Sequence, residues 1–379
     1  MDKLKQIQIC TNCVMDTTDS KITFDVNGIC DHCNNYYSNL KPAWEKLSKD
    51  KLLEIGKKIK SQNTGNDFDC IIGLSGGLDS SYTAYIAKEI MGLNPLLLHV
   101  DAGWNTKQAV TNIEKLVDGL GLELYTDVIN WESMKELQRA FLRSGIPDQD
   151  LPQDYAFFSS LYKFARKHKI KYVLTGSNFS TECCREPEEW GAYIGIDKKL
   201  TYGLLNKFGN SENFDFPIID VFKYRILYKF IYGMKVIYPC NYVEFKKDDV
   251  EKLLNEKYGW EKFQHKHHES RFTRFFEDYW LKNKFGFDKR KAHFSSLILT
   301  GQMKREDALK RLQNSELSKE FLNKEFKYVS KKLEIDEKEL QDIFEAENKT
   351  VDNYSSKKWL IQLGKKALIT LGMENRHIR

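Results

Sequence analysis

Two groups of residues in this chain could do chemistry with little help from the rest. The first is four cysteines. Cys10-x-x-Cys13 and Cys30-x-x-Cys33 are separated by sixteen residues. Each pair puts two thiolates on one tight turn, and two such turns complete a tetrahedron round a metal ion. Four sulfur ligands leave no open coordination position, so the metal would be structural. Zinc fits the spacing. An iron–sulfur cluster is the competing reading, because four cysteines also hold iron. His32, inside the second pair, reads as a bystander. Asn27-Gly28, between Phe24-Asp25-Val26 and Ile29, reads as a hairpin turn feeding that pair.

The second group is the stretch Gly73-Leu74-Ser75-Gly76-Gly77-Leu78-Asp79-Ser80. An apolar run of strand length, Phe68 to Leu74, precedes it. Tyr82, Ile86 and Ile90 follow at helical spacing. A turn of hydroxyls and glycines between a buried strand and a helix start is built to hold phosphate. Unpaired backbone N–H groups and the positive end of the helix dipole point at the turn. Gly76 and Gly77 let the backbone approach an anion. Asp79 suits such a place only if Mg²⁺ lies between it and the phosphates. The loop is neither G-x-x-x-x-G-K-S/T nor G-x-G-x-x-G. It resembles the SGG-x-DS loop of the ATP pyrophosphatases, the adenine nucleotide alpha-hydrolase superfamily. That resemblance implies a grip on the pyrophosphate half of ATP while AMP passes to an oxygen of the substrate.

Further elements must position these groups. At 379 residues the chain holds two or three domains. The composition is that of an ordinary globular protein, 41% hydrophobic and 30% charged. The net charge of +5 is spread along the chain, and no dense basic patch suggests nucleic acid. No apolar run reaches membrane-spanning length and the N-terminus lacks the apolar core of a leader, so a cytoplasmic enzyme is expected. A charged helical linker is predicted from Trp44 to Lys60, broken at Asn63-Thr64-Gly65-Asn66. Strands are predicted at Phe68–Leu74, Leu96–Val100, Leu122–Ile129 and Lys171–Thr175. Helices are predicted after the loop, at Thr106–Leu120, at Trp131–Leu142 and around Phe157, Phe158, Leu161, Tyr162 and Ala165, whose aromatics read as core. Pro147 and Pro152 would bracket an acidic loop carrying Asp148, Asp150 and Asp154. The alternation predicts an α/β fold with a parallel, doubly wound sheet.

In such a sheet the C-terminal strand ends line the ligand crevice. Val100, Asp101 and Trp104 are then candidates for nucleotide or substrate contact, with a turn cap as the competing role for Asp101. Gly176-Ser177-Asn178 resembles the second nucleotide-contacting turn of the same superfamily. Glu182 beyond it is a candidate substrate or metal contact. Cys183-Cys184 reads as packed rather than redox-active. Residues 186 to 216, with Trp190, Tyr193 and Tyr202, read as a substrate loop or lid. Beyond Pro239 the chain has no proline and reads as helical, with Asp336 and Glu339 as a capping box. His265, His267 and His268 could hold a metal, although three positions in four residues diverge on a helix. Lys266, Arg274, Lys289 and Arg290 could instead wall a polyanion. A solvated basic face competes for Lys289 to Lys291.

The signals stand in one order: cysteines, loop, then Lys266-His267-His268-Glu269-Ser270 with Lys284-Phe285-Gly286-Phe287-Asp288-Lys289-Arg290. With His99 to Asn105 and Leu151-Pro152-Gln153-Asp154, this resembles the N-acetyl sugar amidotransferase family of WbpG or PseA type. The resemblance implies an adenine nucleotide alpha-hydrolase domain at residues 61–260. A zinc module with its linker would occupy 1–60, and a helical region contributing to the active site 261–379. It implies catalytic roles for Asp79, Lys266, Glu269, Lys289 and Arg290. ATP would lie on Gly73 to Ser80, Val100, Asp101, Gly176 and Ser177, and substrate on Glu182, Arg274 and Trp104. It implies structural zinc, Mg²⁺ and ATP, and a sugar or nucleotide-sugar substrate for lipopolysaccharide or nonulosonic acid synthesis. A homo-oligomer is compatible with it. Transfer-RNA thiolation is the rival enzyme class, with Cys183 or Cys184 as sulfur carrier. A built-in glutaminase needs a nucleophilic cysteine, at the second position or on a glycine-flanked elbow. Residue 2 is Asp2, and Cys70, Cys183, Cys184 and Cys240 lack flanking glycines. Ammonia is therefore expected from a separate glutaminase subunit.

Overall fold

The computed structural model describes residues 7–191, 197–221, 223–264, 266–315 and 317–370. His265 and Tyr193 lie outside them. Five parallel strands form one sheet in the order β3-β2-β1-β4-β5. They are β1 Cys70–Gly73, β2 Pro95–Asp101, β3 Leu124–Val128, β4 Tyr172–Leu174 and β5 Lys235–Ile237. Side chains alternate across the sheet. Ile71, Leu96, Leu98 and Val173 enter one apolar core, while Cys70, Ile72, Leu97 and Leu174 enter another on the opposite face. Both faces are covered, which is why the central strands read as unbroken apolar runs. Four strands are predicted, and five form the sheet among the described residues. β5 has three residues, too few for any periodicity, and pairs with β4 through Tyr172↔Lys235.

Helices cover both faces. These are α1 Lys49–Gln62, α2 Leu78–Tyr85 extended through Ile90, α3 Lys107–Leu120, α4 Trp131–Ser144, α5 Leu151–Lys167 and α6 Lys198–Phe208. The predicted continuous helix from Trp44 is interrupted. The chain turns at Leu47, whose N–H reaches Trp44 O at 2.8 Å, and α1 restarts on Ser48, which accepts the Lys51 N–H. Thr106 and Asn130 cap α3 and α4, and Gly121 and Gly145 end them with φ of 59° and 70°. Pro152 does not close a loop. It sits in the first turn of α5, where its missing N–H has no partner to lose. Tyr162 and Ala165 are buried as expected, but Phe157 and Phe158 are 37% and 45% exposed. The predicted lid is largely packed structure. Leu200, Leu204 and Leu205 of α6 are fully buried, and so is Trp190, whose Nε1 donates to Thr18 O at 3.2 Å.

The C-terminal part is helical as predicted. α7 Lys247–Tyr258 returns to the sheet core through Val250 and Leu254. There follow α8 Arg271–Phe275 extended through Phe285, α9 Arg290–Leu299, α10 Arg305–Gln313, α11 Lys319–Lys332, α12 Glu337–Glu345 and α13 Lys358–Thr370. Asp336 precedes α12, but its side chain makes no capping bond, so the expected box is not formed. The cysteine module meets α9 and α10. Lys291 binds Asp16 at 2.6 Å, the Val14 N–H reaches Ser295 Oγ at 3.2 Å, and Arg305 donates to Cys10 O and Cys13 O at 2.7 and 2.9 Å. No helix among the described residues is long and apolar enough to cross a membrane.

Candidate functional site

The cysteine turns assemble as their spacing demands. Gly28 has φ of 74°, and the Asp25 N–H pairs with Ile29 O at 2.9 Å, closing the hairpin that presents Cys30. The four sulfurs lie within 4.8 Å of one another, with pairs at 3.6 and 3.8 Å, and all four residues are fully buried. A tetrahedron with metal–sulfur bonds of about 2.3 Å has edges of about 3.8 Å. The donor set therefore fits a single ion and leaves no room for a multi-iron cluster. Backbone N–H groups of Asn12, Cys13 and Cys30 donate to Cys10 Sγ at 3.2 to 3.4 Å, which favours thiolate. His32 is occupied elsewhere, its Nε2 lying 2.9 Å from Asp19. This is the only preassembled metal cluster among the described residues. His267 and His268 turn to different carboxylates, Glu277 and Asp278, and do not converge on one ion; His265, the third candidate, lies outside the described residues.

The loop lies at the point where the strand order reverses, between β1 and β4. There an open parallel sheet leaves its crevice. The turn after β4 closes on the loop from the other side. A Cβ on Gly176 would stand 2.7 Å from the Asp79 carbonyl carbon, so only glycine fits. Gly76, with φ of 82°, passes under Ala109, and its carbonyl accepts Trp260 Nε1 at 3.1 Å. The loop is tied internally through Ser75 Oγ and Ser80 Oγ at 3.2 Å. No side chain caps α2. Its open first turn faces a cavity of about 230 Å³ lined by Gly73, Ser75, Gly77, Leu78, Asp79, Ser80, Gly176 and Ser177. Carboxylates stand there too. Glu269 accepts from Ser75 Oγ at 3.4 Å, and Asp79 accepts from Asn178 Nδ2 at 3.2 Å. Burial pushes Asp79 up to about 6, Glu182 and Glu269 add to it, and Lys266 opposes it. An anion-binding helix start surrounded by acids fits phosphate only with a cation between them. Hard oxygen donors suit Mg²⁺.

The cavity opens into a cleft of about 1480 Å³, sharing Ser177, Thr181, Glu182, Lys247, Lys266, His267 and His293 with it. Lys266 Nζ is 2.7 Å from Glu182. Burial would raise Glu182, but Lys266 outweighs it and the carboxyl is lowered. Further in, Glu277 holds His267 at 3.0 Å and Lys289 at 3.2 Å, and Lys289 also meets Glu186 at 3.1 Å. Burial disfavours the His267 charge, yet Glu277 lifts it to about 9. Burial, then Glu277, pushes Asp150 up to about 6.

Several predicted site residues stand elsewhere. Arg290 is at the cleft edge, its guanidinium bonded to Asp288, at 2.6 and 2.9 Å, and to the Arg311 and Asn314 carbonyls. Arg274 points to α11, bonding Glu325 at 3.0 Å and covering the Phe321 ring. Trp104 is buried, its Nε1 donating to Gln138 at 2.7 Å and its ring against Phe272. Asp101 caps a turn, accepting the Gly103 N–H at 2.8 Å and Asn105 at 3.0 Å. Val100 and Leu74 are core. Arg274, Trp104, Asp101, Val100 and Leu74 line neither the cavity nor the cleft. Cys183 and Cys184 pack between the cysteine module and α9. Burial pushes the Cys183 thiol up to about 12 and the Cys184 thiol well above its usual range. Residues absent from the sequence reading line the site: Lys247, Glu277 and His293. Lys289 and His293 are one helical turn apart, a spacing that would have linked them.

Fold and loop together define an ATP-pyrophosphatase-type α/β domain. Residues 50–184 match the NAD synthase family, and residues 269–368 match the family of LPS biosynthesis protein WbpG-like, C-terminal domain. The two matches together support the resemblance to the WbpG-type family within the SGGxDS superfamily. It is 26% identical over 183 residues to an uncharacterized protein of Methanocaldococcus jannaschii, covering 48% of this chain and 63% of that one. It is 24% identical over 207 residues to a tRNA-specific 2-thiouridylase of Clostridium acetobutylicum, covering 49% and 50%. It is 31% identical over 97 residues to an NH(3)-dependent NAD(+) synthetase of Methanococcoides burtonii, covering 25% and 34%. The chain thus spans less than two thirds of the length of these relatives. Among solved structures, the NMN synthetase from Francisella tularensis has 17% identity and a TM-score of 0.31, over 76% of this chain and 95% of that one.

Proposed function

We propose that this protein adenylates the acetamido oxygen of an N-acetyl sugar and replaces that oxygen with nitrogen from ammonia. The product is an acetamidino sugar for a surface polysaccharide, a lipopolysaccharide O-antigen or a nonulosonic acid. One observation carries the reading: the uncapped start of α2 and the Gly176 turn meet at the switch point and open into a cleft with room for a sugar. The match of residues 269–368 to the WbpG-like domain supports the sugar class.

An amide oxygen is a poor leaving group. The sugar's carbonyl oxygen attacks the α-phosphorus of ATP, forming an O–P bond and releasing pyrophosphate. The loop N–H groups and Lys266 stabilise that leaving group. Asp79, Glu269 and Glu182 would hold a Mg²⁺ that offsets phosphate charge. Ammonia then attacks the imidate carbon, a C–N bond forms and AMP leaves. The four cysteines would hold zinc in a purely structural role.

A separate glutaminase subunit supplies the ammonia. This is supported by burial, which raises the thiols of Cys70, Cys183, Cys184 and Cys240 and leaves no thiolate to open glutamine. The same burial removes a sulfur carrier for the thiolase alternative, which the 2-thiouridylase similarity raises.

The test is pyrophosphate and AMP release from ATP with ammonium chloride and a panel of free and nucleotide-linked N-acetyl sugars. Release with one sugar, and none with transfer RNA, is expected. Glutamine alone should give nothing until a glutaminase is added. Turnover with transfer RNA and a sulfide donor would replace this reading with the thiolase.

A further inference from the structure

Where ammonia attacks, a proton must leave. The first adduct is a tetrahedral carbon bearing –NH₃⁺, and AMP cannot depart to give an amidinium until that nitrogen has lost a proton. The base must lie where the loop cavity meets the cleft. Four basic or imidazole side chains line that junction: Lys247, Lys266, His267 and His293. Lys266 is held as a cation by Glu182, and Lys247 pairs with Glu251 at 3.7 Å. His267 is held as a cation by Glu277, so its ring is already protonated. His293 differs. Its Nδ1 lies 3.2 Å from Thr181 O. A carbonyl can only accept, so Nδ1 carries the proton, and in the neutral ring Nε2 keeps its lone pair. Nε2 makes no hydrogen bond among the described residues. His293 stands on α9, the helix pinned to the cysteine module through Val14 and Asp16.

We propose that His293 Nε2 is the base that takes the proton shed by the attacking nitrogen; this rests on the amidine-forming reading above. The C–N bond forms, one N–H bond breaks toward Nε2, and the nitrogen lone pair so freed expels AMP. The imidazolium then returns its proton to solvent through the cleft. Burial first, then Lys266 and Lys247, hold the free ring far below the ordinary imidazole range, and His267 adds to them. The free ring thus keeps its Nε2 lone pair unprotonated across the neutral range.

The experiment separates the two halves of the reaction on the full-length protein. Exchange of labelled pyrophosphate into ATP, with sugar present, reads adenylation. Amidino-sugar formation reads the whole. In His293→Ala, exchange should persist while amidino-sugar formation falls about 10²–10⁴-fold, and added imidazole should restore part of it. His293→Gln keeps a donor for Thr181 O without a base, and should be as slow as the alanine variant. If His293→Gln restores turnover, or if exchange and amidination fall together, His293 is a positioning residue and the proposal is wrong. Unchanged amidination in either variant also overturns it. Failure of the wild-type protein to exchange pyrophosphate with any acetamido sugar would instead remove the amidotransferase reading.

Discussion

The cysteine cluster and the loop cavity are both built on tight turns, yet they close in opposite ways. In the cluster the four sulfurs converge on one point, and Arg305 answers the carbonyls of Cys10 and Cys13. Sulfurs 3.6 to 3.8 Å apart are buried, and backbone N–H groups point at them. At the loop, demands are left open. The helix start has no side-chain cap, and four carboxylates, those of Asp79, Glu182, Glu251 and Glu269, line the cavity. A region whose polar groups are all answered holds the molecule together. A region that leaves them unanswered awaits a ligand.

The sharpest way to break this contrast is to attack the cluster. Cys13→Ser, or a strong chelator, should release the metal and unfold the N-terminal module. Because Lys291 and Arg305 grip that module, α9 should loosen and activity should vanish with it. Elemental analysis should find about one zinc per untreated chain. A variant that melts at the wild-type temperature would remove the structural role.

At the loop, by contrast, a change should touch function and spare the fold. Asp79→Asn keeps the backbone carbonyl that anchors Thr83 at 2.8 Å. Turnover should fall about 10²–10³-fold with an unchanged melting curve. Full activity would take Asp79 out of the site.

The same contrast explains what could be read beforehand. Local patterns carried through: C-x-x-C turns, the loop between strand and helix, and the helix starts near Thr106 and Trp131. All are set by residues within a few positions of one another. What failed depends on which side of an element faces the cleft. Lys289 and Arg290 are adjacent, but one step along a helix rotates a side chain by about 100°. Lys289 enters the cleft and Arg290 turns to Asp288. Arg274 and Trp104 were drawn to the site by proximity in sequence, and tertiary packing placed them on α11 and in the core. β5 was too short to show a period. Glu277 gave no signal, because its partners His267 and Lys289 lie ten and twelve residues away.

That adjacent pair offers a finer test. Lys289→Ala leaves Glu186 and Glu277 without their shared cation inside the cleft, so sugar-dependent turnover should drop. Arg290→Ala leaves the buried Asp288 with Lys282 alone, at 3.5 Å, which should lower the melting temperature while KM for ATP and sugar stays put. Steady-state kinetics and thermal melts on both variants check this. Equal kinetic losses in the two would return Arg290 to the active site.

The smallest effect is one of pH. His267 has its ordinary value raised to about 9 in the folded protein, against burial, by Glu277. A raised folded value means that the native state holds the proton more tightly than the unfolded chain does. The stabilisation is therefore complete below the ordinary imidazole value near 6.5 and is lost as pH rises through about 9. Glu277 is lowered instead, so its share is present above the ordinary carboxylate range and fades in acid. Between these limits the pair is intact. The melting temperature of the wild-type protein should thus decline from pH 7 to pH 10, and in His267→Gln the decline should be shallower. Lys289 stays charged throughout that window and keeps Glu277 partnered in the variant, so the difference isolates the imidazole. Parallel curves for the two proteins would mean that the His267–Glu277 contact adds nothing to stability and serves only the cleft.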